Sequence, residues 1–152
     1  MHYPIRVLFL CTGNSARSQM AEALLRSFGD DDFEVFSAGT EPKELHPMAI
    51  QVMQESNLDI SNQKSKHLNQ FLNGSFNYII TVCDRARDNC PTFPGDVEHI
   101  HWSYDDPAAI TGNTEKQYQL FNRVRGEISE RIRVWVTVQR KKLKEDGIII
   151  ND

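Results

Sequence analysis

Cys11 and Arg17 close the two ends of the stretch Cys11-Thr12-Gly13-Asn14-Ser15-Ala16-Arg17, and Ser18 follows. A thiol, a glycine-bearing loop and a guanidinium at that spacing suit a nucleophile set against a bound oxyanion. The sulfur attacks, and Arg17 offers a planar fork of donors to a tetrahedral anion. Gly13 lets the backbone come close or take a positive φ. The backbone N–H groups from Thr12 to Ala16 can gather on the anion, and Ser18 can donate to the sulfur. A cysteine in that field should be a thiolate, lowered from about 8.5 into a range of roughly 3.5–7.5. A cysteine ending a buried strand is often only a small hydrophobe; it is the whole pattern, between strand and helix, that points to catalysis.

Two elements must position this loop. Arg6–Leu10 is a short apolar run suited to a buried strand. Ser18–Phe28 reads as a helix, with Met20, Ala23, Leu24 and Ser27 at helical spacing and Gly29 able to end it in a left-handed conformation. The loop therefore opens into a helix N-terminus, whose free N–H groups and positive dipole end favour an anion.

The stretch CTGNSARSQMAE, Cys11 to Glu22, closely resembles the anion loop of arsenate reductases built on the low-molecular-weight tyrosine phosphatase fold. The resemblance runs along most of the chain.

The chain has 152 residues, 39% of them apolar and 25% charged, with a net charge of −4. It is expected to be one domain, 1–152, with a core of its own. The acidic balance argues against general nucleic-acid binding, and no apolar run reaches membrane-spanning length. Residues 1–10 lack the apolar core and cleavage site of a signal peptide, so the cytoplasm is the expected location. A monomer without a cofactor is expected. In a reducing compartment, three cysteines suggest reactivity more than a structural framework.

Glu34–Ala38 reads as a second strand ended by Gly39. His46–Asn57 reads as a second helix, with Pro47 in its first turn, Asn57 at its stop and Ile50 and Met53 toward the core. His46 reads as a helix-entry residue. Residues 58–65 form a loop leading to a short helix near His67–Leu72. Some members of the resembled family bind a potassium ion near the loop. Asn14, Glu22 and Ser37 match three of its positions, and Lys66 stands where the fourth is acidic. Its ammonium could pair with Glu22 in the cation's place, or it could be a solvated lysine.

Asn77–Val82 is a third strand, leading directly into Cys83. Arg85, Ala86, Arg87 and Asp88 can continue a helical turn before Cys90 and Pro91. Cys83 and Cys90 with His99 and His101 could make a zinc set of non-standard spacing, or the thiols could be structural. A redox pair is the third reading, since strand C-termini in an α/β sheet share one functional edge with Cys11. The resemblance implies the last: thioredoxin-coupled arsenate reductases carry their second and third redox cysteines at this spacing.

Val97–Trp102 is the fourth strand, and Ser103–Pro107 turns out at the same edge. On its own, Asp-Pro is usually a turn; the resemblance makes Asp106 the general acid in preference to Asp105. Ala108 and Ala109 follow, where phosphotyrosine phosphatases of this fold commonly carry aromatic residues, which favours a small inorganic substrate. Thr114 to about Lys142 is the last helix, with Thr114 and Gln117 at capping-box spacing. Phe121, Val124, Ile128, Ile132 and Trp135 form its apolar stripe, and Arg123, Arg125, Glu130, Arg131 and Arg133 a solvated face. Ile148–Ile150 reads as either an edge strand or a frayed tail.

The fold expected is α/β, a four-stranded, mainly parallel sheet with helices on both faces. The function implied is reduction of arsenate to arsenite, with Cys11 as nucleophile, Cys83 and then Cys90 forming a disulfide, and thioredoxin as reductant. A phosphatase working through Cys11, Arg17 and Asp106 is the alternative, because the loop does not separate phosphate from arsenate. A non-catalytic oxyanion- or zinc-binding module is a third.

Overall fold

The computed structural model describes residues 3–147. The reading of Ile148–Ile150 lies outside the described residues. Strand β1 (Ile5–Cys11) leads into helix α1 (Arg17–Gly29), strand β2 (Phe33–Gly39) and helix α2 (Pro47–Gln54). A 3-10 turn (Leu68–Phe71), strand β3 (Tyr78–Thr81), the five-residue helix α3 (Asp84–Asp88) and strand β4 (Glu98–His101) follow, before the 32-residue helix α4 (Thr114–Glu145). The sheet has the order β2-β1-β3-β4 and every pairing is parallel. β1 lies inside the sheet, and Val7 to Leu10 are fully buried, as a strand covered on both faces requires.

On one face, Trp135 of α4 packs against Phe33, Tyr78 and Trp102, with centroids 5.1–6.0 Å apart. On the other, Phe36 meets Phe71 and Phe76, and Phe76 meets Phe93. α4 buries Phe121, Val124, Ile128, Ile132 and Val136; Trp135 is only partly buried beside that stripe. Ile50 of α2 is likewise only partly buried, while Met53 is in the core.

Two helix ends differ from expectation. Gly29 is right-handed (φ −91°), and the left-handed residue is Asp30 (φ 47°). A Cβ at Gly29 would lie 2.4 Å from the Phe33 ring, so glycine serves close packing there. The cap of α4 is Asn113, whose side chain accepts from Lys116 N–H; Thr114 is already inside the helix. Asn and Thr are both good caps, and spacing alone does not choose between neighbours. α2 stops at Gln54, and Asn57 takes the left-handed conformation (φ 62°) beyond it.

Candidate active site

The parallel sheet brings the C-terminal ends of β1 and β3 together. Cys11 is the last residue of β1, and Cys83 follows β3 and caps α3. Both thiols are buried and near enough for each to act on the other's charge, and the Thr12 hydroxyl lies 3.3 Å from Cys83 Sγ.

The loop between Cys11 and Arg17 holds its shape by turning its carbonyls outward. Thr12, Gly13 and Ser15 carbonyls accept N–H groups of Glu41, Lys43 and His46, each within 2.9 Å. With the carbonyls so occupied, the loop's own N–H groups are left for an anion. Asn14 is the hub. It is fully buried and left-handed (φ 47°), a conformation asparagine tolerates better than most residues. Its Nδ2 donates to Ser18 and Ser37, and its Oδ1 accepts from Lys66 N–H and Gln19. Its backbone carbonyl accepts from Gln19 and Ser65. A Cβ at Gly39 would lie 2.4 Å from the Thr12 carbonyl, so β2 must carry glycine where it passes the loop. At Gly13 a Cβ would come 3.1 Å from Ser15 Oγ. Ala16 is buried and precedes α1.

Gln19, Ser65 and Gly39 are the supports that sequence reading passed over. Gln19 and Ser65 carry no motif, and Gly39 read only as a strand end; their roles arise from chain crossings. Ser18 donates no bond to Cys11 sulfur here; its hydroxyl accepts from Asn14 instead.

Arg17 is one-tenth exposed and bridges the loop to the turn after β4. It donates to the Tyr104 carbonyl at 3.1 Å and stands 3.9 Å from Asp106. Asp106 is half-exposed and caps the turn Pro107–Ala109 by accepting from Ala108 N–H. Asp105 points elsewhere and pairs with Arg123. Geometry thus separates the two carboxylates. His46 caps α2 through Nδ1, and its ring packs against Phe121; burial holds its pKa below the ordinary value, partly offset by Asp106.

The charge of the thiols differs from expectation. The hydrogen bond to Cys83, and then burial, push Cys11 well up, against the pull of Arg17. The same bond from Cys11, with Thr12, the Ala86 N–H and Arg17, brings Cys83 down to about 5. The two thiols compete for negative charge, and their surroundings favour it on Cys83 over Cys11. A second thiol close enough to compete for the charge is what spacing along the chain did not reveal.

Cys90 is half-buried beyond α3, and burial raises its pKa. All three cysteines are free. Among the described residues no cluster of three or more His, Cys, Asp or Glu side chains could hold a metal ion, and His101 instead bonds Thr81 and Asp84. Lys66 stands 3.7 Å from Glu22, a buried carboxylate that also accepts from Ser37. No described helix is long and apolar enough to cross a membrane.

Residues 6–147 match the family described as low molecular weight phosphotyrosine protein phosphatase. An arsenate reductase of Halalkalibacterium halodurans is 42% identical over 129 residues, covering 85% of this chain and 93% of that protein. A solved arsenate reductase in the phosphate-binding state superposes with a TM-score of 0.72 at 29% identity, over 88% of this chain and 97% of the other. A thioredoxin-dependent arsenate reductase of Corynebacterium glutamicum superposes with a TM-score of 0.66 at 30% identity, over 93% of this chain and 65% of that one.

Proposed function

The chain belongs to the low molecular weight phosphotyrosine protein phosphatase family, and we propose that within it this protein reduces arsenate to arsenite by a relay of three thiols, with thioredoxin as the final reductant. The observation that carries the reading is the second thiol at the oxyanion loop: Cys83 lies 3.3 Å from the Thr12 hydroxyl, beside Cys11, and hydrolysis has no use for it. The relatives named arsenate reductase support the substrate, and the thioredoxin-dependent neighbour supports the reductant. Ala108 and Ala109 beside Asp106 leave no aromatic grip for an aryl ester, which suits a small inorganic anion.

In this mechanism arsenate binds the N–H groups from Thr12 to Ser18 and the Arg17 fork. The proton on Cys11 passes to Cys83, and the Cys11 thiolate attacks arsenic. One oxygen leaves as water, protonated by Asp106. Cys83 then attacks the sulfur of Cys11. The sulfur–arsenic electron pair stays on arsenic, which leaves as arsenite with the Cys83 proton. Cys90 attacks Cys83, freeing Cys11 as a thiolate, and the Cys83–Cys90 disulfide is passed to thioredoxin.

A count of free thiols before and after arsenate, without external reductant, tests this. Two of the three thiols should be lost per arsenite formed. An unchanged count would overturn the relay. Phosphate release from an aryl ester by a chain that loses no thiol to arsenate would return the phosphatase reading, which the approach of Arg17 to Asp106 favours.

A further inference from the structure

We infer that His99 is the base that takes the proton from Cys90 before that thiol attacks the Cys11–Cys83 disulfide. This rests on the relay just described and adds a residue to it. His99 stands on β4, and its Nδ1 lies 3.8 Å from Cys90 Sγ, within hydrogen-bond reach of a sulfur. Among the described residues, the other polar contact of that thiol is the Pro91 carbonyl at 3.6 Å. A carbonyl can accept the S–H bond but cannot take its proton; a neutral imidazole can do both.

The need for a base is set by where Cys90 sits. It is half-buried, and burial disfavours its thiolate. Arg17, the cation that serves the other two thiols, acts on Cys11 and Cys83. On the same segment Arg87 pairs with Asp84 and Asp88, and Asp84 also holds His101. Glu98 precedes His99 on β4, and His101 follows two residues on. An unassisted thiol is mostly protonated at neutral pH and attacks a disulfide slowly.

The step balances. The Cys90 S–H bond breaks and its proton goes to Nδ1 of His99. The sulfur's electron pair forms the bond to Cys83 Sγ, and the Cys11–Cys83 pair leaves on Cys11 as thiolate. No external electron is needed, and reduction of the new disulfide returns the proton. His99 acts before Cys90 moves, because β4 is held in the sheet while Cys90 lies on the segment that must shift.

The test uses a chain carrying Cys11→Ser and Cys83→Ser, which leaves Cys90 as the sole thiol, with and without His99→Gln. His99 is exposed on an edge strand, so the substitution leaves the core untouched. Alkylation by iodoacetamide is followed from acid to alkaline pH. With His99 present, a reactive limb should extend below the pH of an ordinary thiol. Its removal should slow alkylation at neutral pH by about tenfold, one unit in the thiol's apparent pKa. Superimposable pH–rate profiles would overturn the inference. In the otherwise unaltered chain, His99→Gln should make the Cys11–Cys83 disulfide accumulate after arsenate, as seen by quenching and mass analysis. Accumulation equal to that of the unsubstituted chain counts against His99. If arsenate consumes no thiol in either protein, the relay fails, and the alkylation profile still decides the base.

Discussion

The anion loop, residues 11–18, and the segment from Cys83 to Cys90 both begin with a cysteine at the end of a parallel strand, yet they are held in opposite ways. The Thr12, Gly13 and Ser15 carbonyls of the loop are met by backbone N–H groups of Glu41, Lys43 and His46, and Asn14 ties it to α1, β2 and the Lys64–Lys66 stretch from a fully buried position. The Cys83–Cys90 segment is held by exposed pairs: Arg85 with Glu41, Arg87 with Asp84 and Asp88, His101 with Asp84. Its one buried residue between the cysteines is Ala86. Buried, fully paired polar groups rigidify, whereas exposed ion pairs contribute little. The first region is built to hold a charge still, and the second to let a thiol travel.

The sharpest way to break that comparison is to remove one thiol from each region. Cys11→Ser should take both arsenate reduction and aryl phosphate hydrolysis to background. Cys83→Ser should abolish multiple-turnover arsenate reduction while hydrolysis changes by no more than about tenfold, some 1.4 kcal/mol in the barrier. Arsenite release followed through many turnovers, beside phosphate release, checks both. Sustained arsenate turnover by Cys83→Ser would show that the second region carries no thiol chemistry.

Stability should divide the regions in the same sense. Asn14→Ala takes a donor away from the buried Ser37 hydroxyl and the acceptor away from the Lys66 N–H, and puts alanine at a positive φ. A loss of about 3 kcal/mol is expected, which lowers Tm by roughly 10 °C for a chain of this size. Arg85→Ala removes one exposed pair and should cost less than about 1 kcal/mol. Calorimetry on the three proteins gives the comparison directly; equal losses would mean that the loop owes nothing to its hub.

The two regions were unequally legible in the sequence. The loop announced itself because Cys11, Gly13 and Arg17 sit within one short window, and the strand and helix around it carry clear periodicity. Its supports did not, since Gln19, Ser65 and Gly39 act across chain crossings rather than along the chain. The four parallel strands were readable from apolar runs. The choice of Gly29 or Asp30 for the left-handed turn was not, because it depends on the Phe33 ring packing over Gly29. The competition of Cys11 and Cys83 for charge was hidden for the same reason: it needs the distance between two strand ends.

That competition gives a prediction with a definite sign. Cys83 titrates at about 5, so the pair should lose its far-ultraviolet thiolate absorbance as pH falls through that value. Cys83 is also the first cause of the raised Cys11 value. Cys83→Ser therefore lowers Cys11, and the acid limb of its aryl phosphate hydrolysis should move to lower pH. A limb that stays in place or moves up would mean that Cys11 carries the resting charge by itself.

The smallest effect concerns motion. α3 stands between Cys83 and Cys90, and its five residues rise about 7.5 Å along the axis at 1.5 Å each. A disulfide requires Cα atoms within roughly 7 Å. A helical segment keeps its two flanking cysteines apart, so joining them asks α3 to unwind or loop out. The cost is small: the burial of the Ala86 methyl, about 1 kcal/mol, the backbone bonds to the Cys83, Arg85 and Arg87 carbonyls, and the exposed ion pairs. Local opening of that size is accessible to a surface segment. The anion loop shares none of these bonds and should not notice. Amides 83–91 should therefore exchange faster in the oxidised protein than in the reduced one, while β1 and Asn14–Ser18 keep their protection. Opening would also release Arg85 from Glu41 and carry it outward with the disulfide, where a reductase can reach it. Equal protection of 83–91 in both redox states, with the Cys83–Cys90 bond confirmed by mass, would mean that the bond closes on an intact α3 and that the contrast between the two regions is not one of mobility.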